Sequence, residues 1–332
     1  MQPQTDSLRI TRRVFIVIYA VYVLLFYLTM ATGVYNYPVV TSYFWLIGDV
    51  IAVVMIIVGT VHQHPLNIRA WVMFMLAVIT YFIADTLFSM DVSQVVYTAA
   101  YTLSALLLVA AGMLCLNVMN VTIQEIAPNA VNAMLPFSLL LGHYLFTTVA
   151  NDTLTPVPAL LMFIIGWCDF MLFTGHVVMF TSHRARGMLT PRVMLINASF
   201  VCFVIVDVLS VSIYAHAGDA NMLYYASNHP FWSMPLMLLA TASTFTEAMP
   251  SKLDPTPVRF VTVLRGVVPY ALVLIAVLLL YSHSCRCPEM TAVMVAACMI
   301  IVRLMFITLH NHPDLQNPIK PRDAFTDLRE DR

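Results

Sequence analysis

Charge is what this sequence has least of. Of 332 residues, 10% are Asp, Glu, Lys or Arg and 61% are hydrophobic, and the mean hydropathy is +0.85. A soluble domain carries about 25% charged residues. A chain with so few has no polar coat, so its surrounding solvent is expected to be lipid. Lysine is almost missing: Lys252 and Lys320 lie outside the apolar spans, which excludes a retinal Schiff base inside the membrane. No basic run with interleaved aromatics occurs, and nucleic acid is excluded as a partner. Seven-helix receptor signatures are missing, and so are a P-loop, HExxH, GxSxG or Cys–His pairing at usable spacing. The chain is not read as an enzyme. Cysteine is sparse and scattered. Cys115, Cys168, Cys202 and Cys298 sit in apolar spans, where a thiol behaves as a small hydrophobe. Cys285 and Cys287 stand too close for an ordinary disulfide, and no second pair completes a zinc site. No metal and no cofactor is expected.

What is present is a series of apolar spans long enough to cross about 30 Å of hydrocarbon. They fall near 14–34, 42–61, 70–90, 95–117, 133–150, 156–181, 193–215, 230–249, 264–282 and 290–309. The expected class is an all-α, polytopic membrane helix bundle of about ten transmembrane helices. With the N-terminus inside, every basic residue except Arg286 falls on or near the cytoplasmic side, the bias that sets orientation. Both termini are therefore expected in the cytoplasm of a multi-pass cell-membrane protein. Residues 1–13 read as a cytoplasmic N-terminus and 14–310 as the membrane domain. The first apolar span, following Arg12-Arg13, is too long for a cleavable signal peptide. Loops are short, and residues 311–332, punctuated by Pro313, Pro318 and Pro321 and then charged, read as a cytoplasmic tail. Tyr35, Tyr37, Tyr43, Trp45 and Trp232 fall at outer span ends, where aromatic belts form.

The spans contain a recurring unit. Gly48-Asp49, a polar break with His62, His64, Asn67 and Arg69, and then Asp85 are echoed by Gly166 and Asp169, a break with His183, Arg184, Arg186 and Arg192, and then Asp207. Recurrence at a fixed offset marks duplicated architecture. The offset is four spans, an even number, so the copies share one orientation and form a parallel internal repeat. The repeat-like units cover about 14–120 and 133–249, with two extra spans in 264–310.

The four carboxyl groups carry the candidate chemistry. At 1.5 Å per helical residue, Asp49 lies about 10 Å, Asp85 about 8 Å and Asp207 about 12 Å below the outer surface, with Asp169 near the middle. A carboxylate at such depth costs roughly 2.5–3.5 kcal/mol on insertion scales. Each acid is therefore neutral, hydrogen-bonded, or facing a wet cavity. One reading is an outward-open pocket for a small molecule, cation or proton. The other is a set of hydrogen-bonded clasps between duplicated helices. His176, seven residues beyond Asp169 on the same helix face, joins the candidate ligand set, since imidazole titrates near neutral pH. His143, alone in an apolar span, reads as a hydrogen-bonded core residue. The 22 methionines form no spaced array and read as core filler.

The Gly48-Asp49, Arg-containing break and Asp85 pattern resembles the N-terminal membrane region of bacterial signalling proteins that carry cyclic-di-GMP-making (GGDEF) or -degrading (EAL) domains. The match covers 42–90 and, in part, 160–215, where Trp167-Cys168 separates Gly166 from Asp169. The resemblance implies a sensory or anchoring membrane module. No GGDEF or EAL signature is present. Two functions follow as expectations: a sensory module binding a small ligand or sensing the membrane through the Asp cluster, with a cytoplasmic signalling partner at 311–332; or a secondary transporter using the same acids for cation or proton coupling. A structural partner in a membrane complex is the third.

Overall fold

The structure is a computed structural model that describes residues 2–33, 43–63, 68–118, 142, 145, 155–181, 190–215 and 229–245, with side chains at all of these except 2–7, 116–118, 170, 173–181 and 207–215. The described residues hold seven α-helices and no strand: α1 (Gln2–Ala31), α2 (Leu46–Val61), α3 (Ile68–Ser89), α4 (Gln94–Val118), α5 (Pro156–Thr181), α6 (Pro191–Ala215) and α7 (His229–Ser243). They overlap the first four and the sixth to eighth expected spans. The ninth and tenth spans, the tail, and the fifth span apart from residues 142 and 145 lie outside the described residues. Leu8–Ala31, Ile68–Ser89 and Gln94–Cys115 are each long and apolar enough to cross a membrane. In α1 the helix continues N-terminally past the expected span, to Gln2.

Apolar side chains cover both sides of α1. Tyr22 and Phe26 are buried and Phe15 and Tyr19 pack behind them, while Ile10, Val14, Val17, Val21, Leu24 and Leu28 are exposed. A helix that is apolar all round belongs in a core or in lipid. The exposed set is compatible with a membrane protein.

α2 through α7 pack in a ring. Each helix lies on the next, and α7 closes back on α2, with α1 laid over the α2–α7 seam. Aromatic rings from α3 and α6 meet across the middle: Phe74 and Phe200 at 6.2 Å, Tyr81 and Phe203 at 5.9 Å. A tight turn joins α3 to α4. The Val92 amide donates to the Leu87 carbonyl (3.1 Å) and the Asp91 amide to the Phe88 carbonyl (3.0 Å). Asp91 has φ 54°. This is a Schellman closure, in which Asp tolerates the left-handed position that glycine usually fills.

α2 and α7 run side by side in the same direction, and glycine sets their spacing. A Cβ at Gly48 would lie 2.5 Å from Ser233 Oγ and 2.9 Å from Tyr22 Cε1, and one at Gly59 would strike Ser243. Small residues let helix backbones approach where lipid offers no hydrophobic drive. Because Gly48 presses against α7 and α1, the next residue, Asp49, is turned about 100° away.

Candidate functional site

Asp49 sits in the first turn of α2 and Asp85 near the end of α3; they are 1% and 2% exposed. Their carboxyl groups lie within hydrogen-bonding reach of each other. From α4, the Tyr101 hydroxyl donates to Asp85 Oδ1. Asp49 Oδ2 and Asp85 Oδ2 have no donor among the described residues. Nor does a Lys, Arg or His of the described residues contact either group. Tyr19 of α1 is near Asp49, but its hydroxyl donates to the Pro230 carbonyl (2.8 Å) and meets Ser233 Oγ at 3.0 Å. The polar groups thus form a band from α1 and α7 through α2 and α3 to α4.

The other predicted site residues stand apart or are not seen. Asp169 is buried on α5, 4% exposed, on a helix that does not adjoin α2 or α3 in the ring. The side chains of His176 and Asp207 lie outside those described, and His143 lies outside the described residues. No group of three or more His, Cys, Asp or Glu residues that could hold a metal occurs among the described residues.

Two polar features escaped the sequence reading. At one end of the ring, His229 is packed among Trp232 (4.9 Å), Trp45 (5.2 Å) and Phe26 (6.2 Å). Trp45 and Trp232 are buried there, so they serve a packed aromatic cluster and not the interfacial belt expected of them. At the opposite end, Arg192, read from the sequence as part of a basic break on the cytoplasmic side, is buried, 2% exposed. It donates to Gln63 Oε1 (2.6 Å) and lies over the Trp71 ring at 4.8 Å. Gln63 in turn donates to the carbonyls of Gly59 (3.2 Å) and of Ser243. One guanidinium therefore ties together the ends of α2, α3, α6 and α7. A guanidinium can do this because its face stacks on an aromatic ring while its rim donates hydrogen bonds.

Chemically, the Asp49–Asp85 contact can change charge inside an apolar bundle. The Arg192 junction can register a shift of α2, because Gln63 follows the last turn of that helix. Comparison with known proteins finds no matching family model, no matching curated protein and no matching solved structure.

Proposed function

We propose that the chain is an integral membrane signalling module of about ten spans, with both termini in the cytoplasm, whose responsive element is the Asp49–Asp85 contact. The observation that carries this reading is a carboxyl–carboxyl contact between two helices, buried and without a cation among the described residues. An uncharged clasp would hold α2 to α3 without the cost of roughly 2.5–3.5 kcal/mol per buried carboxylate. A pair of acids adds one property that such a clasp lacks, a charge that depends on what is bound. Ligand or membrane state acts on the pair from outside. α2, held in register with α7 by Gly48 and Gly59, carries the shift to the Gln63–Arg192 junction about 21 Å away. From there it passes to the tail at 311–332 and a cytoplasmic partner. The resemblance of Gly48-Asp49, the break and Asp85 to the sensory regions of cyclic-di-GMP signalling proteins favours the same role.

A parallel duplication of the α2–α3 hairpin as α5–α6 belongs to this reading. Tyr81 and Phe203, spaced in sequence as Asp85 and Asp207 are, touch each other at the middle of the ring, as equivalent residues beside a symmetry axis do. Ala77 and Ser199 share that spacing, and each makes a cross-helix hydrogen bond, Ser104 Oγ to the Ala77 carbonyl and Ser199 Oγ to the Pro235 carbonyl.

The test uses the full chain in lipid vesicles, with amide exchange followed at 59–63 and 190–193 as the outside pH is lowered. Protection at those amides should change in the natural sequence and stay fixed in Asp49→Asn/Asp85→Asn. An unresponsive natural sequence contradicts the reading. The second reading, a secondary transporter, draws support from Pro235 within α7, since interrupted spans line transporter sites. Proton or cation flux through the same vesicles, abolished in the double variant, would establish transport in place of signalling.

A further inference from the structure

We propose that the Asp49–Asp85 pair is a binding site for one proton, held between the two carboxyl groups, and that Tyr101 is its positioning residue. This names the ligand of the site put forward above and rests on that reading for its consequence, though not for its chemistry. Two carboxyl groups in contact are two sets of acceptors. Asp49 Oδ2 and Asp85 Oδ2 are both buried and no donor among the described residues reaches either, so two ionised groups here would repel each other with nothing between them. A single proton between them makes the contact attractive. Like charges this close inside an apolar bundle do not both ionise, whereas an acid–carboxylate pair forms a short, charge-assisted hydrogen bond.

Tyr101 decides which group is the anion. Its hydroxyl donates to Asp85 Oδ1, so Asp85 is the carboxylate and accepts from both sides. Asp49 then carries the proton and donates to Asp85. Among the described residues, the titratable groups bearing on the pair are Tyr19 from α1 and Tyr101 from α4. α7 presents Ser233 to the neighbouring Gly48, and its His229 packs on Trp45. A metal cation fits poorly. Hard cations take about six or more oxygen ligands, and among the described residues the pair and Tyr101 supply two carboxyl groups and one phenol.

The experiment is infrared difference spectroscopy of the full chain in vesicles, in water and in deuterium oxide, with sodium varied at constant pH. The expected result is a deuterium-sensitive carboxylic acid band that Asp49→Asn removes. Asp85 remains a carboxylate in that variant, held by Tyr101 and the new amide. Tyr101→Phe should shift the frequency of the band and keep its intensity, which serves equally if Asp49→Asn does not fold. A spectrum unchanged in both variants overturns the proposal. So does a band that disappears on adding sodium, which would mark a cation site. The band is read without reference to any output of the chain. Its absence therefore removes the proton site alone, while a band present beside unresponsive amides at 59–63 removes the signalling reading alone.

Discussion

Single side chains in this protein matter most where an apolar surrounding leaves no water to replace a lost partner. Arg192 is the clearest case. Replacing it with Gln removes the donor to Gln63 Oε1 and the cation on Trp71. A buried acceptor left without a donor costs about 1–3 kcal/mol, and thermal unfolding in detergent should register a loss of that size. Arg192→Lys should recover part of it, because an ammonium keeps the charge but not the planar stack. Trp71 emission should then shift in both variants. Asp91 offers a test of backbone conformation instead of contact. Asp91→Gly should leave stability unchanged or slightly raised, since φ 54° suits glycine. Asp91→Val should lower stability by about 1–2 kcal/mol in the same assay, the cost of forcing a left-handed conformation on a branched residue.

Among the elements, α2 carries both the close approach to α7 and the first of the paired acids. One face carries Gly48 and Gly59 against α7; another turns Asp49 toward α3. Gly59→Ala should destabilise the chain by about 1–3 kcal/mol through overpacking, with Ser243 as the group that must yield. Combining it with Ser243→Gly should restore only part of the loss, because the Ser243 backbone carbon, 2.8 Å from the added Cβ, stays in place, whereas the same Ser243→Gly change should not rescue Gly48→Ala at all. Unfolding midpoints of the four variants check the pairing. Much of this helix was legible in the sequence. The apolar span at 42–61 marks it, and Gly48-Asp49 marks its special turn, because glycine and a carboxyl group are both costly inside an apolar run. Its neighbours were not legible. Tyr101, Ser233 and Ser243 look like any other tyrosine or serine in an apolar span, and only lateral packing makes them partners of Asp85, Gly48 and Gly59.

For the whole molecule, hydropathy told that the chain is helical and compatible with a membrane, since too few charges exist to coat it. It did not tell the order of helices around the ring, because lipid-facing and neighbour-facing surfaces are equally apolar. For the same reason Trp45 and Trp232 read as interfacial residues from sequence, and Arg192 as one of a basic break: position near a span end is visible there, and burial is not. The four acids likewise looked like one set. In three dimensions Asp49 and Asp85 meet, while Asp169 sits on α5, across the ring from α2. The proposed response of the molecule therefore depends on the pair acting as a single unit at the α2–α3 contact.

A double-mutant cycle on that pair tests this most directly. Stability of the natural sequence, Asp49→Ala, Asp85→Ala and the double variant would be measured by unfolding of the full chain in one detergent. Residues in contact show interaction energies of about 0.5–3 kcal/mol, while independent sites add to within about 0.3–0.5 kcal/mol. The expected result is a coupling above about 1 kcal/mol, with the double variant little worse than either single one. Losses that simply add would contradict it, leaving two separate buried acids and no shared site.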